Sequence, residues 1–317
     1  MCCQKEPYIL VFGVSVYDIV GFSNQNFKAK DSNPGRVRVS YGGVCRNIAE
    51  NLARLQIKTK FLSPIGDDEK GKSILKHAQE MNIDMEDSFI AKGKSTPTYM
   101  AILNEHGEME AAIVDMSITD CITKEYIDSK AELIKNAEYV VLDTDHPSIV
   151  EHILTTHKGH IKCILDPVSV AKVSRVKHLL SYFHTIKPNR QEAEELCGFE
   201  IKTIEDVRKA GKYFLGLGIK NVMISLDADG MYYNDGTQEG IIKSKEVSVV
   251  NVTGAGDSCV AGIGYGYMNQ FNIQDTVRYA IAMSVITIAH EETIHPGMCC
   301  DLVKEYISKI KWEETTF

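Results

Sequence analysis

The run Asn251-Val252-Thr253-Gly254-Ala255-Gly256-Asp257-Ser258 places three small residues directly before a carboxylate. Gly254, Ala255 and Gly256 can turn their backbone N–H groups toward one point. The apolar run that follows, with Cys259, Val260, Ala261 and Ile263, predicts a helix whose N-terminus favours an anion. Asp257 beside such a pocket suits a general base. An anion hole next to a proton acceptor is what phosphoryl transfer to a hydroxyl needs. A ligand-free strand-to-helix turn has the same residues, so the weight falls on what else the chain offers.

Further polar residues are spaced for the same chemistry. Gly42 and Gly43 open a predicted helix marked by Val44, Ile48, Leu52 and Leu55. A bare backbone there can approach a sugar closely, and Asn47, one turn in, offers a donor and an acceptor. Asp18 follows a short buried strand at residues 8–13, where open α/β sheets bind ligands; a turn aspartate is the plain alternative. Asn189 and Glu192 have the spacing of a capping box, and Glu192 also suits a magnesium ion held through water. Residues 221–233 read as a hairpin able to lean on a nucleotide.

Gly66 to Ser73 formally matches the phosphate-binding pattern G-x-x-x-x-G-K-S, with Lys72 and Ser73 in the functional positions. Its interior is Asp67, Asp68 and Glu69, whose charges would repel phosphate oxygens. A surface turn with acids near a helix N-terminus is the expectation here.

Residues 59–65 read as one strand, and from about residue 120 the chain alternates strands and helices, predicting an α/β fold on a mainly parallel sheet. Residues 14–41 and 96–117 instead predict half-exposed strands. They suit a small, separate sheet that covers a substrate and excludes water. No repeat or linker interrupts the chain, so residues 1–317 are expected to form one domain bearing this lid.

Composition narrows the field. The 317 residues are 44% hydrophobic and 25% charged, as in ordinary soluble proteins. A net charge of −8 without a Lys/Arg cluster argues against nucleic acid as a partner. The nine cysteines include the pairs Cys2-Cys3 and Cys299-Cys300 but no zinc spacing, so free thiols are expected. With no signal-peptide pattern and no spanning apolar run, a cytoplasmic protein without membrane association is expected. The histidines show no usable spacing.

Taken together, these residues resemble the ribokinase-like carbohydrate kinases of the phosphofructokinase B type, over nearly the whole chain. Gly42-Gly43 with Asn47 is similar to one family signature and the Thr253 to Asp257 run to the other. Asn189-Arg190-Gln191-Glu192 is similar to the family's magnesium-associated N-x-x-E, and the formal phosphate loop to its G-x-D-x-x-G turn. The resemblance implies a three-layer ribokinase-like fold with a β-sheet lid and the cofactors ATP and magnesium. It makes Asp257 the base and Gly254, Ala255 and Gly256 the anion hole. Asp18, Gly42, Gly43, Asn47 and Asp115 would bind the acceptor. Asn189, Ser225, Gly230, Thr253 and Gly256 would contact ATP, with Glu192 serving the metal. It also implies a homodimer joined through the lid.

Within the family, residues 31–35, 42–53, 115–116, 187–190 and 251–253 are most similar to the pseudouridine kinases, which phosphorylate the 5'-hydroxyl of pseudouridine. A kinase of uridine, ribose or a fructose-type sugar, and a non-catalytic sugar- or nucleoside-binding regulator of the same fold, stay open. Four residues depart from the family pattern: Val16, Cys45, Asp227 and Asn251. The last stands where many members have an aspartate tied to a monovalent cation, which leaves potassium as an open cofactor.

Overall fold

Alternate residues of the central strands belong to two different cores. Ile9 and Val11 pack on one side and Leu10 and Phe12 on the other, as do Val141 against Val140 and Leu142, and Ile164 against Cys163 and Leu165. Successive side chains of a strand point to opposite faces, so this pattern describes a sheet covered by helices on both sides. That is why these segments are continuous apolar runs.

The computed structural model describes residues 6–317, and the Cys2-Cys3 pair lies outside them. Its main sheet has ten strands. In spatial order they are Lys311–Thr316, Glu239–Lys245, Met231–Asn234, Asn221–Ser225, Thr185–Ile186, Cys163–Leu165, Tyr139–Leu142, Ile9–Phe12, Thr59–Leu62 and Ile83–Asp84. From Asn221–Ser225 to Ile83–Asp84 all pairings are parallel, and the other three strands join antiparallel. The expected α/β architecture with a mainly parallel sheet is present. Residues 59–65, expected as one strand, divide into Thr59–Leu62 in the main sheet and Pro64–Gly66, which pairs with Phe89–Ala91. Pro64 explains the break, because proline cannot donate to a ladder.

A second sheet of four strands runs in the order Gly35–Gly42, Val16–Ser23, Thr98–Leu103, Met109–Asp115. Register puts Val39, Ile19, Met100 and Ile113 on one face, with Val37 and Ile102 beside them. Val37 and Ile113 are 72% and 70% exposed, so this face is an apolar surface turned to solvent.

The helix Ala255–Met268 is buried from Asp257 to Gly266, and its neighbours are Val44–Arg54 and Ile273–Ile288. Its small residues serve packing. A Cβ on Gly262 would lie 2.7 Å from the Cα of Ala280, and one on Gly266 2.7 Å from Thr276 Oγ1. Among the described residues all cysteines are free thiols, and no helix is long and apolar enough to cross a membrane.

Gly262→Val is therefore expected to force Ala255–Met268 away from Ile273–Ile288, at a cost of about 1–3 kcal/mol. Urea unfolding measures it; a midpoint equal to that of the parent would show that the helices do not depend on this contact.

Candidate active site

Parallel strands bring their carboxyl ends to one edge, and there this chain places charged residues in a row. Asp143 follows Tyr139–Leu142, Asp166 follows Cys163–Leu165, and Lys187 follows Thr185–Ile186. The strand order reverses at Ile9–Phe12, whose later neighbours in sequence lie on both sides of it, and a crevice opens at such a switch point.

Two helix N-termini close over this row. The first helix, Val44–Arg54, starts after Gly43, whose φ of 100° a side chain would strain. The second, Ala255–Met268, starts after Gly254 at φ 83°, so Gly256 and Asp257 lie inside its first turn. A Cβ at Gly254 would also stand 2.2 Å from the Thr293 carbonyl oxygen. The two helices meet through one hydrogen bond: Asn47 Nδ2 donates to Asp257 Oδ2 at 2.8 Å.

Burial sets the electrostatics. Asp257 is pushed up to about 7 by burial first and then by the charge of Asp166, while the Asn47 bond and Lys187 oppose the shift. Asp18 rises to about 6 through burial, with Arg46 and Arg38 pulling it down. Its carboxylate leans on Gly42, where a Cβ would lie 2.1 Å from Oδ2. Asp143 is raised to about 7 by burial and by Asp145, and its Oδ2 has no hydrogen-bond partner. Lys187 is buried; desolvation works against its charge, but Asp166, Cys259, Glu192 and Asp257 outweigh this and hold the amine protonated. No acceptor is in hydrogen-bonding range of its amine among the described residues, and a Cβ on Gly256 would be 3.1 Å from Nζ. A cation with no ligand of its own, beside the N-terminus of Ala255–Met268, is ready to receive an anion.

A cleft of about 850 Å³ continues from this point. Lys187, Asn189, Ser225, Gly230 and Gly256 line its polar side, and Val249, Val252, Ile281 and Ile288 its apolar side. That volume suits a nucleotide-sized ligand. Asn189 also bridges to Ser225 across the sheet edge. Asn189 and Glu192 form a complete capping box, so the cap reading of both is correct in itself; Glu192 is raised mainly by burial and lies in the field of Lys187 and Asp166. Asp166 Oδ2 is buried without a partner.

Several residues fall elsewhere. Asp115 is exposed at the end of its strand, and its carboxylate accepts from the backbone and hydroxyl of Ser117. Thr253 is exposed and donates its N–H to Asn251 Oδ1. The formal phosphate loop is the expected surface turn. Asp68 caps the helix Glu69–Glu80, and Lys72 pairs with Glu69 in solvent. Of the departures, Cys45 is buried with its thiol on the Phe12 carbonyl, and Asp227 adopts φ 52°, a conformation that glycine takes more easily. Val16 is a buried strand residue paired with Gly42. Lys187, Asp143 and Asp166 received no role from sequence, though each is a charged residue ending an apolar strand.

A family model described as pfkB family carbohydrate kinase matches residues 6–298. The pseudouridine kinase of Escherichia coli K12 is 34% identical over 93% of this chain and 95% of its own length. The ribokinase of Staphylococcus aureus is 28% identical over 78% of this chain and 81% of its own. A structure of a candidate sugar kinase from Clostridium perfringens superposes with a TM-score of 0.96 at 56% identity, covering 99% of each chain. Arabidopsis thaliana ribokinase complexed with ribose and ATP gives 0.83 at 21%, covering 95% of this chain and 98% of that one, and shares the fold.

The raised pKa of Asp257 carries a stability consequence. Between the usual carboxylate range and about 7 the folded protein keeps a proton that the unfolded chain has lost. The stability held by that proton is complete below the unfolded pKa and is lost as pH rises through the folded one. Asp257→Asn cannot ionise. It should exceed the parent in stability at pH 8 by on the order of 1–4 kcal/mol, with a smaller gap at about pH 5. Urea midpoints at both pH values measure this; an equal gap at both would contradict it.

Proposed function

This chain belongs to the pfkB family of carbohydrate kinases, and from that premise we propose that it transfers the γ-phosphoryl group of ATP to the 5'-hydroxyl of pseudouridine. It is an ATP-dependent sugar or nucleoside kinase. The choice of pseudouridine draws its support from the E. coli enzyme, which is more similar over a longer span than the ribokinases.

The observation that carries the mechanism is the 2.8 Å bond from Asn47 to Asp257, which joins the acceptor-side helix to the anion-side helix. With the nucleoside between Asp18, Gly42, Gly43 and Asn47, its 5'-hydroxyl faces Asp257. As the 5'-oxygen bonds to the γ-phosphorus, its proton passes to Asp257, the bond to the bridging β,γ-oxygen breaks, and ADP leaves. The N–H groups of Gly254 and Gly256, joined by that of Ala255 when it leaves its long 3.4 Å bond to the Val252 carbonyl, stabilise the charge spread over the moving phosphoryl group, and Lys187 adds a cation without losing an existing partner. The adenine rests on the apolar side of the cleft, with Asn189, Ser225 and Gly230 at its polar side, while Thr253 stands outside the lining.

Magnesium fits the donors present. Asp166 and Glu192 offer hard oxygen atoms, one of them unpartnered, and no cluster of three or more ligands surrounds a metal directly among the described residues. Magnesium commonly uses one or two carboxylates plus waters and phosphate. These two residues would hold it, and the metal would supply neutralisation of phosphate charge.

The small sheet acts as the lid, with Asp115 at its rim on the acceptor side. Its exposed face of Val37, Val39, Met100, Ile102 and Ile113 is the interface of a homodimer.

Steady-state rates for pseudouridine, uridine, adenosine, ribose and fructose test the substrate. Pseudouridine should lead in kcat/KM by about tenfold or more; a uridine rate as high would refute the choice. Asp257→Asn should lose about 10²–10⁴-fold in kcat while keeping ATP affinity by calorimetry, whereas Lys72→Ala should turn over like the parent. Loss of activity in the lysine variant would restore the phosphate-loop reading. Ile113→Glu should sediment as a monomer in the ultracentrifuge, and an unchanged sedimentation coefficient would remove this face as the interface.

A further inference from the structure

The segment after Ile273–Ile288 lies against the turn that forms the anion hole. Val250 and Asn251 both donate their N–H groups to the Ile288 carbonyl, at 2.7 and 3.2 Å. Gly254 approaches Thr293 so closely that no side chain fits between them. The position of residues 289–297 therefore fixes where the N–H groups of Gly254, Ala255 and Gly256 point.

Asn251 ties the two segments together. Its Nδ2 donates to the Glu291 carbonyl at 2.9 Å, and its Oδ1 accepts the Thr253 N–H at 3.0 Å. Chemistry allows no other orientation of the amide: a backbone N–H can only donate and a carbonyl can only accept. The side chain is neutral and presents a hydrogen, not an oxygen, to Glu291.

A potassium ion at this place would need several oxygen atoms facing one point, whereas with asparagine at position 251 the side chain turns an N–H to the Glu291 carbonyl, and some neighbouring carbonyls are engaged as well. Pro296 accepts from Arg54 Nη1 at 2.7 Å, His295 accepts from the Met298 N–H at 2.9 Å, and Ile288 accepts twice. Arg54 also brings a fixed positive charge that acts on His295. An aspartate at position 251 would set a carboxylate oxygen against the Glu291 carbonyl oxygen, a repulsion that a monovalent cation relieves by bridging them. The asparagine amide makes the same bridge with a hydrogen bond.

We infer that Asn251 takes the place of a monovalent cation, so that the anion hole is assembled and turnover proceeds without potassium. Only the turnover part rests on the kinase reading above.

The experiment compares potassium, sodium and choline chlorides at equal ionic strength, for the parent and for Asn251→Asp. The parent rate should change by less than about twofold, and its thermal midpoint without substrate should be the same in all three salts. Asn251→Asp should lose about tenfold or more of its rate in choline and regain it in potassium, with a midpoint raised by potassium alone. A parent that is activated or thermally stabilised by potassium over choline overturns the inference, as does a folded aspartate variant indifferent to potassium. If that variant does not fold, the parent measurements decide. The melting arm needs no turnover, so inactivity toward every acceptor would count against the kinase reading while the cation question is still answered.

Discussion

Everything in this site depends on holding one carboxylate out of water with only partial compensation. Asp257 is buried beside Asp166, and against that stand the Asn47 amide and the Lys187 amine. Full compensation would make it a stable anion and a weak base. None would keep it protonated at neutral pH. The balance leaves it near 7, where a group can both lose and take a proton during turnover. Asn47 has a part in this balance, because its amide donates to Asp257 and opposes the upward shift that burial and Asp166 impose.

The fold supplies that balance by convergence. Parallel strands deliver Asp143, Asp166 and Lys187 to one edge, and two helix N-termini deliver Asn47 and Asp257 from above. Burial of the Asp257 helix on all sides, with Gly262 and Gly266 in contact with the neighbouring helix, fixes its height over the sheet. Residues 289–297 fix its entry turn through Asn251 and Thr293. A charge desolvated this strongly tolerates little movement, since water reaching Asp257 would return it to an ordinary carboxylate.

Much of this was legible in the sequence, for physical reasons. Runs such as residues 8–13 and 139–143 are apolar because both faces of their strands are covered, so the parallel sheet could be read directly. The Gly254 to Asp257 run is legible because a left-handed residue at a helix start demands glycine. The capping box of Asn189 and Glu192 is local and equally plain. What escaped is what only tertiary contact reveals. Lys187 looks like a solvated lysine next to a proline until three strands place it among carboxylates. Asp143 and Asp166 were visible as strand ends, but their desolvation was not. The break at Pro64 was missed because Phe61, Leu62 and Ile65 hide it in an apolar run. Asn251 was recognisable as an exception, but its hydrogen bond to Glu291 joins residues 40 apart and has no local signal.

The pH dependence of kcat/KM for the acceptor tests the role of Asp257 most directly. With ATP saturating, the predicted result is a rising limb with an apparent pKa near 7, the value to which burial pushes this carboxylate. A profile that stays flat from about pH 5.5 to 9, with no change in the slow step, would contradict it.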